Sequence, residues 1–184
     1  MLRRVVVILV MLMLVLVNVA SGASGNFNAL NTTLINTFKL IPGPEVGEFK
    51  MYKSSGGSVL IGVLPIKNWV AEAFVVCKGD ITAQDMIKAV AVIYGFVQET
   101  RWFITGQPQE GEIIMDGGYK LWEKRAEELL YTACKQLYHT KESVFTFDNI
   151  TVKAMDIGDV GWHKHTKDRS YDIKKMVSIK LWIK

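Results

Sequence analysis

Hydrophobic residues recur at three- or four-residue spacing in three stretches of the chain and alternate with polar ones in most of the remainder. The first periodic stretch runs from Asn26 to Ile41, where Phe27, Leu30, Leu34, Phe38 and Ile41 form one stripe and Pro42-Gly43-Pro44 ends it, so a short amphipathic helix is expected. The second opens on Thr82-Ala83-Gln84-Asp85, a variant capping box in which a hydroxyl and a carboxylate can satisfy free amides at a helix start. From Met86 to Val97 its only charged residue is Lys88. A helix over residues 81–99 is therefore apolar nearly all round and needs cover on several sides, either from the Asn26 to Ile41 segment or from a second copy of the chain. The third, from Tyr119 to Tyr138, is the clearest helix. Trp122, Ala126, Leu129, Ala133 and Leu137 form its stripe, with Lys124, Glu127, Glu128 and Lys135 mostly off it.

Alternation supplies the strands. Glu48 to Lys53, the turn cluster Ser54-Ser55-Gly56-Gly57 and Ser58 to Ile66 read as a hairpin, and Val70 to Cys77 extends it to an antiparallel meander. Arg101 to Thr105 and Glu112 to Met115 read as short strands around the turn at residues 106–111. Val144 to Phe147 and Ile150 to Met155 flank Asp148-Asn149 as a second hairpin or one bulged strand. Met176 to Lys184 places Val177, Ile179, Leu181 and Ile183 on one face, which builds the last residues into the sheet. The expected fold class is α+β: a mainly antiparallel sheet of about six strands, two principal helices packed on one face and a short N-terminal helix.

The N-terminus follows neither pattern. Arg3 and Arg4 precede an unbroken apolar run from Val5 to Val17, and a small-residue region from Ala20 to Gly25 follows. This is the layout of a secretory signal, with cleavage expected after Ala23; the alternative is an uncleaved membrane anchor of the same orientation. Even extended to Ala20 the run has 16 residues, about 24 Å of helix against a hydrocarbon core of roughly 30 Å, which favours the signal. The domain reading is residues 1–23 as signal peptide or anchor and residues 24–184 as a single exported domain, secreted or extracytoplasmic.

Composition agrees with a packed core, because 49% of the residues are hydrophobic and 22% charged, too apolar for a disordered chain. Without Arg3 and Arg4 the chain has 20 basic and 18 acidic side chains. So small an excess gives no basic face for nucleic acid. Contact with the membrane is expected only through the N-terminal segment.

Export gives meaning to three groups of side chains. Cys77 and Cys134 would meet an oxidising compartment, so a disulfide joining the third strand to the Tyr119 helix is expected, with two buried thiols as the other reading. Asn31-Thr32-Thr33 and Asn149-Ile150-Thr151 match the glycosylation pattern at Asn31 and Asn149. Within the polar connection from Asp156 to Lys175, His163 and His165 lie two residues apart. In an extended backbone they share a face, and with Asp159 and Asp168 they form a candidate metal set for a divalent ion.

Other chemistry is thinner. The chain lacks the nucleophile elbow, the phosphate-binding loops, the His-Glu-x-x-His pattern and a Cys-x-x-Cys pair. Glu110, Glu112 and Asp116 surround a turn, where carboxylates are usually solvated, and His139 suits the carbonyl end of the Tyr119 helix. Trp102, Trp162 and Trp182 fall in strand or loop contexts, where an exposed ring could stack on a sugar or anchor a protein; Trp182 shares a face with Ser178 and Lys180, opposite the apolar one, and the favoured reading is a sheet covered on both sides or lysine stems packed over the ring. The functional expectation is an exported, non-enzymatic binding or accessory domain whose partner is a protein or cell-surface component. A small metal-dependent hydrolase built on His163 and His165 is the alternative.

Overall fold

The computed structural model describes residues 26–67, 69–78, 81–106, 119–156, 163–164, 171–172 and 177–183. The N-terminal segment, Glu110, Glu112, Asp116, Asp159, Trp162, His165 and Asp168 lie outside the described residues, as does the expected Glu112 to Met115 strand. The described elements run in the order α1 (Asn26–Thr32), a π-helical turn (Thr33–Thr37), β1 (Ile41–Pro42), β2 (Lys50–Lys53), β3 (Val59–Ile66), β4 (Trp69–Cys77) and α2 (Ala83–Thr105). A 3-10 turn (Tyr119–Trp122), α3 (Glu123–Leu137), β5 (Glu142–Phe147), β6 (Ile150–Asp156), β7 (His163–Lys164), β8 (Tyr171–Asp172) and β9 (Val177–Ile183) follow. The fold is α+β, with seven strands in one antiparallel sheet, one more than expected, in the order β1-β2-β3-β4-β9-β6-β5. The added strand is β1, two residues long, whose Ile41 and Pro42 pair with Lys53 and Tyr52; a run that short carries no alternation to read.

The C-terminal strand is the keystone. β9 lies between β4 and β6, so it joins the N-terminal meander to the β5–β6 hairpin. Alternation decides which side chains turn inward. Tyr52, Ile61, Val75, Ile179 and Ala154 form one cross-strand row and Val63, Ala73, Leu181 and Val152 a second, all buried. The helices pack on these rows. Pro65 sits at a register shift in β3, where the missing amide donor leaves no gap in a regular ladder.

α2 begins as its capping box requires: the Asp85 amide donates to Thr82 Oγ1 at 3.1 Å, and the hydroxyl donates to Asp85 Oδ2 at 2.7 Å. It then runs for 23 residues, through the stretch expected to be a strand at Arg101 to Thr105, and stops at Gly106, whose φ is +96°. Two effects override the strand preference of Trp102, Phe103 and Ile104. The Thr100 and Thr105 hydroxyls satisfy the carbonyls four residues back, at 2.8 Å each, and Trp102 is buried against Trp122 at a ring distance of 5.6 Å. Trp102 is thus a core residue rather than an exposed ring. The apolar helix is covered as its pattern demands, by β4 and β9 below and by α3 and α1 beside it. Asn26 ties α1 down: its Nδ2 donates to the Phe96 carbonyl and to Glu99, and its Oδ1 accepts from the Val70 amide.

The expected disulfide is absent. Cys77 is buried at the end of β4 and Cys134 is half-buried on α3; both are free thiols, well apart. The helix that packs on β4 is α2 rather than the α3 that carries Cys134. Burial pushes each thiol up to about 12 from 9.0, so neither is a thiolate at neutral pH. Denatured, non-reduced protein should therefore show two reactive thiols, and native protein should react slowly, as thiol titration will test. Because the folded pKa lies above the unfolded one, the contribution of each thiol is complete below pH 9.0 and is lost as the pH rises toward about 12. Cys77→Val should flatten that alkaline loss in urea titrations; an unchanged slope would show that Cys77 ionises as freely in the fold as outside it.

Candidate functional site

The densest polar cluster lies where the β5–β6 hairpin turns back over the helices. Asp148 and Asn149 hold φ values of +47° and +61°, the left-handed pair that a two-residue hairpin turn requires and that Asp and Asn tolerate. The turn brings Asp148 against α2 and α3. Its carboxylate accepts from the Tyr94 hydroxyl and from Arg125, by Nε at 3.0 Å and by Nη2, while Arg125 also pairs with Glu128. Gln98 Nε2 donates to the Asp148 carbonyl at 3.1 Å, and Arg101 Nε donates to Gln98 Oε1 at 2.7 Å. The Arg125 guanidinium lies 4.8 Å from the Phe147 ring centroid.

The electrostatics make this a clamp, not a reactive centre. Burial, reinforced by the Asp148 hydrogen bond and charge, drives the Tyr94 phenol far above its ordinary value, so it stays a donor and never a base. Burial alone would lower the Arg125 guanidinium, but its hydrogen bonds and charge contact with Asp148, with help from Glu128 and Tyr94, raise it. Every group is committed to another. Trp122 packs edge-on against Tyr94 at 5.2 Å, and its buried indole N–H has no hydrogen-bond partner among the described residues. The sequence held a signal for this cluster: Tyr94, Gln98 and Arg101, at spacings of four and three, form a polar stripe on a helix otherwise read as apolar.

Among the described residues no helix packs on the opposite sheet face, whose side chains are mostly half-buried. Its register rows are Leu60, Val76 and Ser178; Met51, Gly62, Phe74, Lys180 and Lys153; and Leu64, Glu72, Trp182 and Thr151. The Phe74 ring lies flat over Gly62, where an added Cβ would come within 2.3 Å of ring atoms. Phe49 packs on Phe74 with ring centroids 5.4 Å apart. Lys180 pairs with Glu72 and holds its ammonium 5.9 Å from the Phe49 ring and 5.6 Å from the Trp182 ring. Lys153 and Glu142 form a second pair at 2.8 Å. The face therefore presents two phenyl rings and an indole around one cation with its carboxylate. The groups there can make apolar contacts, cation–π attraction and hydrogen bonds. Trp182 lies in these rows, half-buried, with Lys180 over its ring, in keeping with the reading that lysine packs over the indole.

Protein-family models, curated proteins and solved structures show no match to this chain.

β7 and β8 pair as a small ribbon between β6 and β9, with His163 opposite Asp172 and Lys164 opposite Tyr171. The His163 side chain lies outside the described residues along with His165, Asp159 and Asp168. Among the described residues no three His, Cys, Asp or Glu side chains converge as metal ligands. His139 follows α3, exposed, with its ring edge-on to Tyr138 at 4.8 Å. Asn31 is half-buried and its Oδ1 accepts from the buried Tyr52 hydroxyl at 2.8 Å, whereas Asn149 is exposed at the hairpin tip. Of the two glycosylation candidates, Asn149 is the accessible one.

Proposed function

We propose that the protein is a non-enzymatic binding or accessory domain that acts outside the cytoplasmic membrane, with the open sheet face as its contact surface and a protein or cell-surface component as its partner. The observation that carries this reading is the grouping of Phe49, Phe74 and Trp182 around the Lys180–Glu72 pair on a face that no helix of the described residues covers. Half-exposed aromatic rings beside a paired charge are the composition that concentrates binding energy at protein surfaces. The committed polar cluster around Asp148 leaves the other side of the fold to stability.

A photo-crosslinking residue at Val76, on the open face, and one at Tyr131, exposed on α3, test the reading in the producing cell. An adduct from position 76, none from position 131, and loss of the first in Lys180→Glu are expected. Equal adducts at both positions, or none at 76, would overturn it. The metal-dependent hydrolase has its own readout. Stoichiometric metal in the purified native protein that disappears in a His163→Ala, His165→Ala double variant would replace the binding reading with that one.

A further inference from the structure

A second surface lies where the β3–β4 turn meets the end of α2. The Trp69 and Phe103 rings stack with centroids 4.2 Å apart and planes 14° from parallel. Ile66 is the cross-strand partner of Trp69, and Ile104 follows Phe103 in the last turn of the helix. Ile66, Phe103 and Ile104 are 57%, 56% and 62% exposed, so this cluster faces outward despite being apolar. Lys67 stands exposed between Ile66 and the β4 start, with φ +56°. Burying none of these rings and branched side chains further is unfavourable in water, and the cluster is larger than a stray surface residue.

Its place in the fold says what covers it. Asn26, the first described residue, is pinned beside the cluster: its Oδ1 accepts at 3.0 Å from Val70, the neighbour of Trp69, and its Nδ2 donates to Glu99, one helical turn before Phe103. Ahead of Asn26 come residues 18–25 and then the apolar run Val5 to Val17. Eight residues span at most roughly 27 Å when fully extended. Where that run is retained as the uncleaved anchor, the reading on which this inference rests, the domain meets the bilayer with this end within reach of it. An indole, a phenyl ring and two isoleucines with a lysine at the rim also match what an interface selects: rings at the headgroup level, aliphatic side chains below, and a cation among anionic headgroups.

We propose that Ile66, Trp69, Phe103 and Ile104, with Lys67 at their edge, form a membrane-contact surface that lays the folded domain against the bilayer. The lipid surface is its occupant. This goes beyond the binding role of the open sheet face and uses none of its residues, so either can fail alone.

The test uses the full chain in vesicles of phosphatidylcholine and phosphatidylglycerol, carrying an environment-sensitive fluorophore at Ile104→Cys or at Val144→Cys. Val144 is 57% exposed on the edge strand β5 and serves as the reference. The buried Cys77 and the half-buried Cys134, with its raised pKa, react slowly during native labelling. A blue-shifted emission at position 104 that a lipid-borne quencher suppresses, with aqueous emission at 144, is expected. Adding Trp69→Ser and Phe103→Ser should abolish that quenching while leaving the cooperative melt in place. Aqueous emission at both positions would show a tether without contact and overturn the proposal. So would quenching that survives the double substitution, or a shift at 104 that rises with protein concentration and escapes the lipid quencher, the mark of a second copy on this surface.

Discussion

Gly95→Ala should destabilise the protein by about 2 kcal/mol, although alanine favours a helix over glycine by roughly 1 kcal/mol. Gly95 lies in the middle of α2, and an added Cβ there would approach the Trp122 pyrrole at 2.6 Å from Cδ1 and 2.8 Å from Nε1. Trp122 has no room to retreat: it is 1% exposed, edge-on to Tyr94 and tilted against Trp102. Close packing converts one methyl into displaced rings, and overpacking of this kind typically costs about 1–3 kcal/mol beyond any helix gain. For a domain of this size the expected fall in Tm is roughly 4–8 °C. Gly62→Ala is the matched control. Its Cβ would come even closer to a ring, but Phe74 is half-exposed on the open face and can swing aside, so a smaller loss is expected. Thermal melts of both variants decide it. A Gly95→Ala protein as stable as the parent, or one less affected than Gly62→Ala, would mean that the ring stack adjusts freely.

Periodicity located α2, α3 and most of the sheet strands because burial on one side imposes spacing, and the Thr82 capping box marks the α2 start within two residues of the expected one. The same spacing is silent about what lies across from it. Arg101 to Thr105 carries strand-forming side chains, yet helix continuation buries Trp102 and outweighs that preference. Cys77 and Cys134 were each placed in their proper element, but pairing depends on which helix covers which strand, and α2 rather than α3 lies over β4. The open face was visible only as Trp182 sharing a side with Ser178 and Lys180. Phe49 and Phe74 joined it through strand register, which a single chain does not print. Asp148 was read as a turn residue, and its grip on Tyr94 and Arg125 arises from residues 54 and 23 positions away.

That grip makes Asp148 the side chain whose loss should be felt most. In Asp148→Ala the Tyr94 hydroxyl loses its acceptor, the Arg125 guanidinium keeps only Glu128, and a Cβ-bearing residue without a hydrogen-bonding side chain must hold φ at +47°. Asp148 and Arg125 are 24% and 30% exposed at the side chain, so water recovers part of what is lost. Breaking a fully buried pair costs about 3–5 kcal/mol, and the partial exposure lowers that, while the left-handed backbone adds about 1 kcal/mol. A loss of about 3 kcal/mol is expected in urea unfolding. Asp148→Asn separates the contributions, because asparagine tolerates the same backbone and still accepts from Tyr94 but gives Arg125 no charge. It should cost about half as much. Pairing it with Arg125→Gln should recover part of the loss, since the unbalanced cation is then gone. An Asp148→Ala protein destabilised by less than about 1 kcal/mol would show that the hairpin tip is held by its turn alone, with Tyr94 and Arg125 resolvated at little cost.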